Sequence, residues 1–249
     1  GSSFAKSFAL GLDIPLIAVN HMKGHIMAHF IKNKEEENKQ PDFPFLCLTV
    51  SGGHTQIVLV KSVTEMNVIG ETLDDAAGEA FDKSAKILGL TYPGGPLIDK
   101  YAKKGDKDKF TFGKHKVGKY DFSYSGIKTS ILRVIEKEVS KNPNFIQENL
   151  EDLCASIQHT IVEILIKKIT KASSELGINE IAIAGGVSAN SYLRSRLIEL
   201  QEEQGKNVFI PKFEYCTDNA AMIAITGYYQ FLEKDFSDQS VTPTSRLKL

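Results

Sequence analysis

A chain of 249 residues can build one large domain or two small ones, and 42% hydrophobic against 24% charged residues at a net charge of −1 describes a globular protein. No apolar run approaches the roughly 20 residues that a membrane helix requires. Cys47, Cys154 and Cys216 lie far apart, which fits reduced thiols in a cytoplasmic protein better than a disulfide framework.

The opening GSSFAKSFALGL reads as the second half of an amphipathic helix, without an initiator Met or a signal peptide, and predicts that native residues precede Gly1. Next, NHMKGHIMAHF spaces His21, His25 and His29 four apart, on one face of a helix. That interval permits a metal site. The zinc peptidase helix shares it but needs a Glu directly after the first His as general base, and Met22 stands there. KNKEEENKQPD (32–42) reads as an exposed loop. FLCLTV, TQIVLV and MNVIGE, joined by short turns, predict a three-stranded antiparallel meander. DDAAGEAFDKSAKILGL predicts a helix over 74–90, with Asp75, Glu79 and Asp82 on one face. A long Lys-rich loop then leads to a helix from Leu150 to Leu176. A buried strand EIAIAGG, a helix over Ser191–Glu203, a short strand NVFIP and a last helix from Asp218 to Leu232 complete the chain.

This order matches the ribonuclease H-like lobes of the actin, Hsp70 and sugar-kinase (ASKHA) superfamily, an α/β class, by analogy of fold. Gly52–Gly53 and Gly185–Gly186 follow apolar strands, where backbone amides can approach a phosphate unobstructed by Cβ atoms. Two such turns in one lobe point to a nucleotide cleft. His21 and His25 are only two ligands, and a helix with two histidines four apart is often a plain surface helix. Asp218 is a candidate third ligand, and Thr217 or Asp218 is equally a candidate N-cap. His29, flanked by Ala28 and Phe30, reads as a packed or surface histidine. Of the three acids on the 74–90 helix, Asp82 is the candidate to point into the cleft; Asn190 either caps a helix or contacts a ligand. Nine lysines between Asp99 and Lys128, Lys103, Lys104, Lys114 and Lys116 among them, interleave with aromatic residues. A nucleic-acid surface and a solvated loop tempered by Asp106, Asp108 and Asp121 both fit that stretch.

Together HMKGH, VSGGHTQ, DDAAGEAFDK, YPGGP, FSYSGIKT, AGGVSAN and CTDNAAMIA resemble the tRNA N6-adenosine threonylcarbamoyltransferases, formerly described as O-sialoglycoprotein endopeptidases, from Phe4 to about Arg246. The resemblance implies transfer of a threonylcarbamoyl group from threonylcarbamoyl-AMP to N6 of the adenosine 3′ of the anticodon, in tRNAs reading codons that begin with A. It implies one divalent ion per subunit, iron, zinc or magnesium, on His21, His25 and Asp218. Thr49, Val50, Ser51, Gly52, Gly53, Asp82, Gly95, Asp99 and Asn190 are implied as the substrate site. Related bacterial enzymes imply a paralogous partner lobe and an ATPase helper. The family's first lobe carries an acidic, Ser-containing phosphate motif absent here. On that basis residues 1–43 are the remainder of a truncated first lobe, 44–213 a complete second lobe and 214–249 a helix returning to the first, and this piece alone is expected to be inactive. A metallopeptidase and a noncatalytic scaffold lobe are the rival readings; a sugar kinase lacks a candidate base carboxylate.

Overall fold

The structure, a computed structural model, describes residues 1–32, 39–113, 117–244 and 249. Helix α1 (Ser2–Gly11) is followed by α2 (His21–Met27), which tightens into a 3-10 turn at Ala28–Phe30. Strands β1 (Phe45–Val50), β2 (Thr55–Val60) and β3 (Met66–Glu71) form the antiparallel meander that the short turns between them predict. Helices α3 (Ala77–Ile87), α4 (Gly94–Ala102), α5 (Ser125–Val139), α6 (Phe145–Glu148) and α7 (Leu150–Leu176) come next. Strand β4 (Glu180–Ala184), a 3-10 turn at Gly186–Ala189, α8 (Ser191–Gln204), β5 (Asn207–Phe209), α9 (Phe213–Cys216) and α10 (Ala220–Leu232) complete the order.

The sheet runs β3-β2-β1-β4-β5, with β1, β4 and β5 mutually parallel and β2 antiparallel to both of its neighbours. Every residue of β1 is buried, as a strand covered on both faces must be. Because side chains alternate, Leu46, Leu48 and Val50 join the core formed with α3, α4, α5, α7 and α8, while Phe45 and Cys47 join Ile26, Met27 and Phe30 on the opposite face. Helices α2 and α10, almost two hundred positions apart, pack together on that second face. All three cysteines are buried and unpaired. No helix among the described residues is long and apolar enough to cross a membrane.

Three sequence expectations are corrected. The Lys-rich segment is not one long loop, since α4 occupies its start and α5 its end. Tyr-Pro-Gly-Gly-Pro carries the signals of a turn, yet Pro96 sits in the first turn of α4, where a missing N–H costs nothing. In α5, Ile127, Ile131 and Ile135 are buried at helical spacing, a signal the neighbouring lysines obscure. Helix α3 starts at Ala77, so Asp75 precedes it and shares no helical face with Glu79 and Asp82. Lys83 Nζ lies 2.6 Å from Asp75 and 2.9 Å from Glu79, which ties those two acids together away from Asp82. The last helix is capped by neither Thr217 nor Asp218: Asn219 Oδ1 accepts the Met222 amide at 2.8 Å.

His29 is a packing residue. Its Nε2–H donates to the Ile183 carbonyl at 2.8 Å and fastens the 3-10 turn to β4, and burial holds its pKa down to about 4. In the unfolded chain the same ring takes up a proton near 6.5, so this group stabilises the fold fully above pH 6.5 and progressively less as pH falls towards 4. The loss is on the order of 3 kcal/mol at most. Urea denaturation between pH 4 and 7 should show a shallower decline in stability for His29→Gln than for the parent; parallel curves would remove His29 from the account.

Candidate functional site

Local sequence places each histidine of the pair. Asn20 caps α2, its Oδ1 accepting from the amides of Met22 (2.9 Å) and Lys23 (3.2 Å), so the helix begins at His21 and projects His21 and His25 to one side. The rings meet edge to face with centroids 4.8 Å apart. Because Asn219 caps α10, the preceding Asp218 carboxylate is turned to the histidines, its Oδ1 lying 3.2 Å from both Nε2 atoms. The three ligand atoms all fall within 4.8 Å of one another.

Exposure differs sharply across the trio: His25 is 3% exposed, His21 53% and Asp218 76%. Burial first, then the neighbouring His21, lower the pKa of His25 below 6.5 against the opposing pull of Asp218. At neutral pH His25 is therefore a neutral nitrogen donor. Its Nδ1 is buried without a hydrogen-bond partner among the described residues. Two imidazoles and a carboxylate suit a borderline divalent cation, and ligands about 2.1 Å from a tetrahedral centre stand roughly 3.4 Å apart. The observed 3.2 Å nitrogen-to-oxygen separations fit that requirement.

A second feature adjoins the first across the β1–β2 turn. Gly52 lines a cavity of about 310 Å³ together with Gly78, Phe81, Asp82, Pro93, Gly95, Pro96, Asp99, Gly186, Val187, Ala189 and Asn190. His54, two residues along the same turn, lines a larger cavity that also contains His21. The small cavity thus gathers Gly52, Asp82, Gly95, Asp99 and Asn190 from four separate stretches of sequence, Gly95 and Asp99 both belonging to α4. Thr49 and Val50 do not reach it; both are buried within β1. Ser51 braces the turn, its Oγ accepting the His54 amide at 3.0 Å, and Gly53 flanks Gly52 without lining the cavity.

The polar residues there have structural partners too. Asp82 Oδ1 accepts from the amides of Gly94 (2.8 Å) and Gly95 (3.4 Å), holding the start of α4. Asp99 Oδ1 accepts from the Ser191 hydroxyl (2.8 Å) and amide (3.2 Å). Asn190 caps α8 through Leu193 N and donates its amide to Gln158 at 2.7 Å, so it both caps a helix and lines the cavity. Sequence reasoning missed Gly78 and the Val187–Ala189 wall, although GEAF and GGVSA stand beside the motifs it used.

Of the four candidate nucleic-acid lysines, Lys103 lies 3.9 Å from Asp99 and Lys104 3.6 Å from Glu151, while Lys114 and Lys116 lie outside the described residues. Lys107, Lys109 and Lys119 also face carboxylates, those of Asp108, Asp152 and Glu175. Much of the local positive charge is therefore met within the fold.

A family model described as tRNA N6-adenosine threonylcarbamoyltransferase matches residues 1–225. The protein of that description from Christiangramia forsetii is 59% identical over 248 residues, covering 100% of this chain and 72% of its own length. Those from Riemerella anatipestifer and Thermosipho africanus are 57% and 48% identical, each across 100% of this chain and 72% and 73% of their own lengths. The chain belongs to this transferase family. In fold it is also similar to two solved structures of HypF. The full-length protein in its phosphate- and nucleotide-bound form has a TM-score of 0.62 at 16% identity, over 90% of this chain and 37% of that one. T. kodakarensis HypF has a TM-score of 0.63 at 14% identity, over 94% and 39%.

The glycines separate packing from ligand space. A Cβ on Gly78 would fall 2.6 Å from the Ser51 carbonyl, whereas a Cβ on Gly186 would meet no described residue beyond its chain neighbours within 4 Å. Gly78→Ala is expected to destabilise the fold by about 1–3 kcal/mol and Gly186→Ala by under about 0.5 kcal/mol. Urea midpoints measure both, and equal losses would contradict the distinction.

Proposed function

We propose that this chain transfers a threonylcarbamoyl group from threonylcarbamoyl-AMP to N6 of the adenosine 3′ of the anticodon, in tRNAs that read codons beginning with A. One observation carries the reading: two imidazoles and a carboxylate converge one turn away from a glycine-walled cavity, in a chain of the threonylcarbamoyltransferase family. A divalent ion, iron, zinc or magnesium, held by His21, His25 and Asp218 would supply Lewis-acid polarisation of the donor's carbonyl or phosphate. Gly52 and Gly186 give the donor's nucleotide close access to the backbone, with Asp82, Asp99 and Asn190 as the polar groups of the same wall. The N6 amine attacks the carbamoyl carbon and the bond from that carbon to the phosphate oxygen breaks. AMP departs with the bonding pair, and N6 yields a proton to solvent. The reaction needs no activated water, and the residue after His21 is a buried methionine, which supports acyl transfer over peptide hydrolysis.

The same reading treats residues 44–213 as an ASKHA-type ribonuclease H-like lobe, with 1–43 and 214–249 belonging to a first lobe. The packing of α2 against α10 on one face of the sheet supports it. A paralogous partner lobe and an ATPase helper complete the proposed assembly. Three buried, unpaired cysteines support a cytoplasmic setting.

The assay combines protein carrying this chain, its partner proteins, tRNA and threonylcarbamoyl-AMP, and reads the modified nucleoside by mass spectrometry. His25→Ala and Asp218→Ala should each lower bound metal and product formation by at least the roughly 10–100-fold expected even for loss of a supporting partner. Undiminished product from His25→Ala protein would rule the mechanism out.

A further inference from the structure

Arg194, the fourth residue of α8, joins the two halves of the site. Its Nε donates to the Ser188 carbonyl at 2.7 Å, and Ser188 belongs to the turn whose Gly186, Val187 and Ala189 line the small cavity. One terminal nitrogen, Nη2, donates to the Pro211 carbonyl at 2.8 Å and to Cys216 Sγ at 3.1 Å. The guanidinium carbon also stands 4.0 Å from the centroid of the Phe213 ring. Among the described residues no carboxylate forms an ion pair with it, so its charge is met by two carbonyls, a sulfur and an aromatic face.

These contacts bracket the segment that delivers Asp218. Cys216 is fully buried at the end of α9, and its thiol reaches the Lys212 carbonyl at 3.3 Å while its sulfur accepts from Arg194. Thr217 follows in extended conformation, and Asn219 then caps α10. The 76%-exposed Asp218 side chain packs against little, so its place is inherited from the anchors on either side. Asn219 is one anchor; Arg194 is the other. A planar fork holds donors on three nitrogens in fixed, divergent directions, whereas a lysine's three donors all radiate from one nitrogen.

We propose that Arg194 is a positioning residue that clamps the 211–218 segment to the cavity wall and thereby sets the Asp218 carboxylate against His21 and His25. The inference rests on the reading of that trio as a metal centre. It touches neither metal nor substrate and acts through backbone placement.

The test is Zn²⁺ affinity, measured by competition with a chromophoric chelator on protein carrying this chain, at a temperature where circular dichroism shows each variant folded. Arg194→Met should weaken binding roughly 10–100-fold, the range for loss of a ligand's supporting partner. Arg194→Lys should recover only part of that loss. In an Asp218→Asn background Arg194→Met should weaken binding no further, because the residue it positions is already lost. A general loss of stability would not produce that non-additivity. Cys216→Ala, which removes the acceptor nearest Asp218, should lower affinity in the same direction and decides the matter if the Arg194 variants fail to fold. Parental affinity in Arg194→Met or in Cys216→Ala, or losses that multiply in the double variant, would overturn the inference while leaving the metal centre standing. Parental affinity in Asp218→Asn would overturn the metal centre and this inference with it.

Discussion

Strands β1 and β4 run parallel and adjacent, with Thr49 opposite Ala184, so both chains leave the sheet at the same edge. Gly185 leaves with φ of +89°, and a Cβ there would fall 2.5 Å from the Val50 carbonyl. A side chain at that position would force the two turns apart. The missing Cβ lets the Ser51–His54 turn and the Gly186–Ala189 turn lie side by side and form opposite parts of one wall. Gly78 repeats the device, since its closeness to Ser51 seats the start of α3 against the first turn. Ligands of open α/β sheets bind outside the carboxyl ends of parallel strands, and this edge is such a place.

The sheet also decides how distant residues meet. Alternation along β1 sends Leu46 and Leu48 to one core and Phe45 and Cys47 to another, so neither face reaches water. The second face is covered by α2, and α10 packs on α2 in turn, although sequence separates the two helices widely. Because α2 buries Ile26 and Met27 with Phe45 and Cys47, and α10 packs in turn on α2 and the 3-10 turn through Met222 and Tyr229, their starts fall near each other, and the residues just inside α2 and just before α10 become neighbours. His25, His21 and Asp218 occupy those positions. Their meeting follows from how the two helices pack.

What the sequence disclosed divides along the same line. The meander and α7 were legible because each depends on a pattern internal to its own segment: short apolar runs in FLCLTV and TQIVLV separated by a glycine turn, and a stripe of Leu153, Ile157 and Ile161 ended by Gly177 in the left-handed conformation. Helix α4 was hidden because Tyr-Pro-Gly-Gly-Pro is turn chemistry unless something supplies a cap, and the cap is Asp82 from another helix. The N-cap of α10 was misplaced by one or two residues, since Thr, Asp and Asn in succession all favour that role. Gly95 and Asp99 reached the candidate site through the motifs of a family rather than through any local signal, whereas Asp82 and Asn190 were also legible from their places on the 74–90 helix and at the start of α8. Nothing near Arg194 in the sequence names Ser188, Pro211 and Cys216 as its partners.

The exposure of the trio bears on what the arrangement is for. An ion pair as open as that between His21 and Asp218 contributes little to stability, in the range of about 0–1 kcal/mol. His25 gains less still, because burial lowers its affinity for the proton that a pair with Asp218 requires. Folding energy therefore gives no reason for two imidazoles to share one carboxylate oxygen at 3.2 Å. Yet every member is held from outside the cluster, by Asn20 capping α2, by Asn219 capping α10, and by Arg194 through Cys216. Support of that kind, directed at groups that do not stabilise one another, is what the proposed metal centre requires of the fold.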